Sequence, residues 1–453
     1  MIKANIFEDK SISNLIILFS FPAICSLVLE SLSSMIDTAF AGHLGNMSHE
    51  ALSAMGILSP VLLLLIAAQL IFGVSTSIVI SKKLGENNKE KINNTFKVGL
   101  YASFISSTMI SIIIFLFQDI ILKVLGANGL VMELAKDYLN IAIIFNIFSS
   151  VGYMLVNNIR AFGYPKVEII VGVSSTAINI IFNVLFTFIF NMGIKGIALS
   201  TLVSEIFYFT FAMIFLINKG LWIQKSNLKL IEGKEILLCL VKIGFVQFLM
   251  QSLNSVSGFI INKVLIRYGS MSYVGAWSIC SNINMVILLP LIGITQGVQA
   301  LIAYFIGKND IEKEHIVKSK IVKYSLIYSI TLTVLVYLFT YNIAKIFTDN
   351  TELANISVPI MKIIVTGFPF LGIIYTLITF MQVSGDENSA SRLELVRQLL
   401  FLIPLVILLP ELFYRYDIMN LTPQIAIFFS IPISNILLVC IYIKKLKFLY
   451  KKD

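Results

Sequence analysis

The stretch IILFSFPAICSLVLESLSSMIDTAFAGHLGNMSHEALSAMG, residues 16–56, is written a second time as LVKIGFVQFLMQSLNSVSGFIINKVLIRYGSMSYVGAWSIC at residues 240–280. A gapless shift of 224 positions puts Phe21 on Phe245, Leu29 on Leu253 and Ser31 on Ser255. It also puts Gly45 on Gly269, Met47 on Met271 and Ser48 on Ser272, and a shift of 222 puts Gly85 on Gly307 and Gly163 on Gly385. The acids are not repeated: Glu30 falls opposite Asn254 and Asp37 opposite Ile261. A duplicated scaffold with carboxylates in one half points to a transporter whose cation-handling site lies in that half.

Composition sets the class. The 453 residues are 57% hydrophobic and 13% charged, with a mean hydropathy of +0.90, far from a soluble domain. Charge-free runs recur at 51–81, 98–118, 139–159, 169–194, 243–262, 324–344, 363–385 and 418–443, and a spanning helix needs roughly 20 apolar residues. The run 268–307 must hold a loop before its helix, and interrupted stretches at 13–41, 196–217 and 395–413 complete the set. Strands of a membrane barrel alternate apolar and polar residues; these runs are apolar all round. The expected fold is an all-α membrane protein of twelve transmembrane helices, as two six-helix bundles at residues 1–217 and 237–453 joined by a polar connection at 218–236. Six is even, so the internal repeat is parallel, with substrate sites expected between the copies near the midplane. The connection mixes Leu221, Trp222, Ile223, Leu228, Leu230 and Ile231 with lysines. It reads either as an interfacial tether or as an irregular linker.

Lys and Arg give the orientation. With a cytoplasmic amino terminus, cytoplasmic segments collect 26 of the 34 basic residues and the other face eight. The clusters stand at 82–97, 219–242, 308–323 and 444–452. Both termini are therefore expected in the cytoplasm, and the net charge of +9 reads as topology in preference to nucleic-acid binding. Cys25, Cys239, Cys280 and Cys440 fall in or beside apolar segments without metal-ligand spacing and read as packing residues. Segment 13–41 is too long for a signal sequence and is expected to stay as the first helix.

An ionised carboxylate at the bilayer centre costs roughly 2.5–3.5 kcal/mol on insertion scales, so a buried one needs a partner or a task. Glu30 and Asp37 are two turns apart on one side of helix one, with Glu30 about 10 Å deeper by helical rise. Helix five carries Asn179 and Asn183 on a common face, and helix six carries Thr201 and Glu205 at the same spacing. Counting rise from the helix ends predicts two polar layers: Asp37, Asn183 and Thr201 above, and Glu30, Asn179 and Glu205 below. Membrane Asn and Thr often do no more than bond a neighbouring helix, and two facing acids can share a structural proton. No embedded Lys or Arg lies near Asp37 in sequence, which leaves it as the principal candidate. Pro22 can kink helix one, as a static bend or as one that moves on protonation. Gly73-Val-Ser-Thr-Ser77 and Gly293 through Gln299 supply small residues for close helix approach, with Gln296 and Gln299 as candidate cavity groups.

These residues resemble the multidrug and toxic compound extrusion (MATE) family over essentially the whole chain. Phe21-Pro22 through Asp37-Thr-Ala-Phe-Ala-Gly42-His-Leu-Gly45 is similar to that family's first helix, with its embedded Asp. Asn158-Ile-Arg160-Ala-Phe-Gly163-Tyr-Pro165-Lys166 is similar to its Arg-Ala-x-Gly-x-Pro loop. Asn179-Ile-Ile-Phe-Asn183 with Gly193 through Thr201 resembles its helices five and six, and Gly293 through Gln299 with Gly307 its second-lobe motif. The resemblance implies export of small cationic, amphipathic compounds in exchange for inward H⁺ or Na⁺, from the cell membrane, with no other cofactor and a monomer expected. It places the coupling-ion site, and any bound Na⁺, on Asp37, Asn179, Asn183 and Thr201. Asn183 departs from the family's usual Asp, which removes one charge and a strong oxygen ligand for Na⁺. Glu205 stands where Gln is expected and can return that charge one turn deeper, and Ala300 replaces a Pro. No acid stands in helices seven and eight within the span, so the second lobe is not expected to bind the ion.

The implied mechanism is competition at a carboxylate. Deprotonated Asp37 attracts a cation whose apolar body meets aromatic and Met side chains, and an entering ion displaces it. A lipid-linked saccharide flippase is the nearest rival; it needs cationic groups in the cavity to hold pyrophosphate, whereas Arg160, Arg267, Arg392 and Arg397 are placed at helix ends. An intramembrane enzyme needs a nucleophile–base pair or metal ligands, and His43, His49 and His315 are placed in loops without partner spacing. A non-transporting receptor would bring an inserted domain, for which there is no room.

Overall fold

In lipid every backbone N–H and C=O must be satisfied within its own segment, so apolar runs of this length fold as helices. A computed structural model describes residues 4–8, 10–224, 228–268, 271–348, 350–416 and 422–450. Gly269 of the second-copy motif, Lys225 of the connection, and Lys451 and Lys452 of the tail lie outside them. The helices are α1 (Ile12–Ala41), α2 (Ser48–Gly85), α3 (Lys89–Val124), α4 (Gly129–Ala161), α5 (Pro165–Asn183), α6 (Ile194–Asn218), α7 (Leu230–Tyr268) and α8 (Met271–Lys308). Then follow α9 (Ile311–Phe347), α10 (Thr351–Thr366), α11 (Phe368–Ser384), α12 (Glu387–Leu395), α13 (Ile403–Tyr416), α14 (Pro423–Ala426) and α15 (Ser430–Tyr450). Among the described residues eleven helices are long and apolar enough to span, and the bent pair α10–α11 makes a twelfth.

Several spans depart from plain α-helix. Beyond Asn183, α5 continues as a π-helical segment, Val184–Ile189, and a second π segment, Val396–Leu402, joins α12 to α13. The tenth span is broken by 45° between Thr366 and Phe368, where Gly367 precedes Pro369. Its first half, from Thr351, lies ahead of the charge-free run 363–385 because Lys362 interrupts the pattern. By contrast α1 runs unbroken through Pro22, which leaves the Leu18 carbonyl without its helical donor.

Two compact units divide the chain: residues 1–248 with 303–310, and residues 249–302 with 311–453. Within the first, the seam between α3 and α4 is polar. Ser103 Oγ donates to the Ser150 carbonyl (3.1 Å) and Ser111 Oγ to that of Ile143 (2.8 Å), while Phe104, Ile112 and Phe115 on the other face are exposed, as lipid-facing residues are. The duplication is written into this seam. In the second unit Thr333 Oγ1 donates to the Val365 carbonyl (3.0 Å), and both residues are the first-unit pair moved on by 222. The connection after α6 is pinned to the start of α3: Asn93 exchanges two bonds with the Gln224 backbone (3.0 and 2.8 Å), and Trp222 meets Phe96 edge-on. Its described residues, 219–224 with 228 and 229, are non-helical, and α7 begins at Leu230.

Candidate functional site

The first unit holds the chemistry because three helices turn short polar side chains to one point. Asn183 Nδ2 donates to Asp37 Oδ1 (2.9 Å), and Thr201 Oγ1 donates to Asp37 Oδ2 (2.9 Å). The ring closes through Asn179, whose Oδ1 accepts from Asn183 (3.1 Å) and whose Nδ2 donates to Thr201 Oγ1 (3.3 Å). Asp37 is 5% exposed and Asn183 fully buried. No cation pairs with Asp37 among the described residues; neutral donors alone hold both of its oxygens.

Asn179 therefore belongs to the upper group, and the two-layer expectation is corrected on that point. Backbone rise puts Asn179 one turn below Asn183, but side chains at i and i+4 are neighbours on a helix face and these two bond directly, so a single ring spans both levels. The lower group is Glu30 with Glu205, and both line the same cavity as Asp37, one of about 190 Å³ enclosed by α1, α2, α4, α5 and α6. Glu30 is exposed to this space and Glu205 half-buried, with Ser149 beside it. The cavity also takes in Gln69, Tyr138, Tyr153 and Tyr208, four residues sequence reading did not single out. Only Gln69 carried a signal, as an amide inside an apolar run.

Its lining carries three carboxylates and, among the described residues, no Lys or Arg. The buried arginines are neutralised elsewhere. Arg160 Nη1 donates to both oxygens of Glu168 (3.1 and 3.2 Å), and Arg397 Nη2 donates to Glu394 Oε1 (2.6 Å). Arg397, 6% exposed, lies in the π segment inside a span, which corrects its placement at a helix end; the adjacent Glu394 offsets its charge there. His49 and His315 are likewise helical, the second residue of α2 and the fifth of α9, instead of in loops. No three His, Cys, Asp or Glu residues gather into a metal-ligand group among the described residues. Gln296 and Gln299 are buried away from this cavity, in the second unit, where Gln299 Nε2 donates to Gln382 Oε1 (3.1 Å). Pro22 is buried two turns from Glu30 and touches none of the ring.

Two buried oxygens near the ring have no donor, Asn183 Oδ1 and Thr187 Oγ1. With the Asn183 amide turned over, its Oδ1, the carboxylate and the Thr201 hydroxyl would make an oxygen set of the kind hard cations take. The same ring also suits a proton, because the Thr201 hydroxyl lies 3.3 Å from the Ile197 carbonyl as well and can turn its hydrogen there.

A model of the MatE family matches residues 22–185 and 247–408, two intervals displaced by nearly the period of the repeat. The multidrug export protein MepA of Staphylococcus haemolyticus is 27% identical over 407 residues, covering 90% of this chain and 89% of that protein. MepA of Staphylococcus aureus is 25% identical over 417 residues, 92% and 90%. Among solved structures, the Vibrio cholerae MATE transporter VcmN in its bent form superposes with a TM-score of 0.86 at 20% identity, over 98% of this chain and 99% of that one. A MOP superfamily transporter from Pyrococcus furiosus, its binding pocket described as reversed in polarity, gives 0.87 at 20% identity over 99% of both.

Proposed function

The chain belongs to the MatE family, and from that premise we propose that it is a cell-membrane antiporter. It exports cationic, amphipathic compounds in exchange for inward-moving protons, through the cavity of its first unit. The observation that carries this is a buried carboxylate without an ion-pair partner on the wall of a cavity lined by two further acids and, among the described residues, no Lys or Arg. An acid secluded from lipid with no countercharge is a site that a cation can occupy at a gain. A flippase for pyrophosphate-linked saccharides would reverse those signs.

The ring favours a proton as the coupling ion. Protonated Asp37 becomes a donor at one oxygen, and the Thr201 hydroxyl can accept it while turning its own hydrogen to the Ile197 carbonyl. No side chain has to move. Sodium instead needs oxygens pointed inward, and the Asn183 amide now presents its N–H₂ to Asp37. The unpartnered Asn183 Oδ1 supports Na⁺ as the second reading, at the cost of turning that amide over. In either case the arriving ion cancels the charge that held the exported cation and biases the alternating-access equilibrium toward release.

The test is ethidium transport in proteoliposomes with pH and Na⁺ gradients imposed separately. Wild type is expected to export on the pH gradient alone, and Asp37→Asn to lose at least nine-tenths of that rate. Undiminished export by Asp37→Asn rejects the carboxylate mechanism, and export on Na⁺ alone transfers the coupling to the second reading.

A further inference from the structure

The second unit repeats the first-unit arrangement of residues with a cation built into it. On α1 and α7 the 224-residue shift equates Ser33 with Ser257 and Glu30 with Asn254. On the next helices the 222-residue shift equates Tyr153 with Tyr375, Gly172 with Glu394, Ser175 with Arg397 and Thr176 with Gln398. Hydrogen bonds confirm the register. Ser33 Oγ donates to Thr176 Oγ1 (3.3 Å), and Ser257 Oγ donates to Gln398 Oε1 (2.6 Å). These are the same two positions in each unit. Tyr375 stands beside Asn254, and their counterparts Tyr153 and Glu30 stand together on the first-unit cavity wall.

At that place in the second unit sits the Arg397 guanidinium. It donates through Nε and Nη2 to Glu394 (3.1 and 2.6 Å), and reaches Asn254 Oδ1 (3.4 Å) and Asn435 Oδ1 (3.5 Å). A planar donor is thus held by acceptors on three sides. In the first unit the arginine becomes Ser175 and its carboxylate partner becomes Gly172, which empties the volume; both residues line the cavity. The amide acceptor Asn254 becomes the carboxylate of Glu30, which has no hydrogen-bond or ion-pair partner among the described residues. The second unit supplies its own cation and balances it. The first supplies the anion and the room, and lacks the cation.

We propose that the part of the first-unit cavity walled by Gly172, Ser175 and Glu30 is a subsite for a planar, N–H-donating cation, an amidinium or guanidinium group of the exported compound, in the place Arg397 fills in the second unit. This rests on the cation-export reading and adds a preference to it: a quaternary ammonium has charge but no N–H to give Glu30, and the directional bonds to a carboxylate separate the two heads.

The experiment compares two probes with one apolar body, 4-butylbenzamidinium and 4-butylphenyltrimethylammonium, by equilibrium binding to the purified protein. Wild type is expected to prefer the amidinium at least tenfold. Glu30→Gln, isosteric but neutral, erases the preference. So does the net-neutral double variant Gly172→Glu/Ser175→Arg, which transplants the second-unit pair; if it does not fold, Glu30→Gln carries the test. Equal binding of the two probes by wild type, or a preference that survives Glu30→Gln, overturns the subsite and leaves cation export standing. Binding of neither probe by wild type overturns both.

Discussion

If protons drive the proposed export, Thr201 is the residue on which the coupling turns, because it is bonded to the carboxylate and within reach of the Ile197 carbonyl at once. A hydrogen bond to a charged group contributes about 1.5–3 kcal/mol. Thr201→Val should therefore slow pH-driven export roughly ten- to hundredfold, while Thr201→Ser, which keeps the hydroxyl, stays within about threefold of wild type; initial rates in proteoliposomes separate the two. Equal loss in both variants would mean that the methyl group matters and the proton switch does not. Asn183→Asp addresses the ion. A second carboxylate beside Asp37 restores an acidic oxygen, and Na⁺ stimulation of export should appear at concentrations at least tenfold lower than in wild type. The four ring residues were legible in the sequence because i,i+4 and i,i+7 spacings fix a helix face whatever the tertiary structure. The grouping of Asn179 with Asp37 was not, because backbone rise counts levels and does not show that the Asn179 side chain bridges them through Asn183 and Thr201. Nor was Arg397, since a basic residue in the first turns of a span looks the same whether it faces water or a buried Glu.

At the scale of helices, charge-free runs located the middles of spans and missed the ends. Lys362 hid the first half of the tenth span, and Gly367 beside Pro369, read with the apolar residues after them, looked like one uninterrupted helix. Small residues were more faithful guides. Gly73 of α2 faces Tyr153 of α4, and a Cβ there would overlap the tyrosine ring. The glycine thus sets how far that ring, part of the cavity wall, stands back. Gly73→Ala should push Tyr153 toward Glu30, reduce the cavity and lower export several-fold. Overpacking of this kind costs about 1–3 kcal/mol, so the melting temperature of the purified protein should fall as well. Gly73→Ala/Tyr153→Phe is not expected to restore either quantity, because the overlap is with ring carbons, whereas Gly73→Ala/Tyr153→Leu should recover stability. Full activity in Gly73→Ala would show that the ring has slack the packing does not suggest. Gly85 and Gly307, equated by the repeat, meet in the first unit, where a Cβ on either would overlap the opposite backbone at Tyr304 or Lys82. The sequence marked both positions by the shift alone, without showing that they touch.

For the whole molecule, the proposed exchange would make the charge moved per cycle depend on how the two copies have diverged. The second unit's buried Glu394 is matched by Arg397 and contributes no net charge. The first unit's Glu30, Asp37 and Glu205 share a cavity with no Lys or Arg among the described residues, so each ion it loaded would change its charge. If Asp37 alone took a proton, exchange for one monovalent cation would be electrically neutral and a membrane potential would not drive it. With Glu30 and Glu205 as a second acidic level, a further proton can load, and one net positive charge then moves inward per cation exported. Such a charge gains about 2.3 kcal/mol per 100 mV, roughly a fifty-fold steeper cation gradient at about 1.4 kcal/mol per tenfold. We therefore expect wild type, at equal pH on both sides, to export ethidium when a potassium diffusion potential is set with valinomycin, after correction against protein-free vesicles. Glu205→Gln should lose that response and keep export on a pH gradient, because Asp37 and its ring are untouched. A wild type indifferent to voltage would confine coupling to Asp37 and leave the lower acids to hold the exported cation, in which case Glu205→Gln would alter apparent affinity and not driving force.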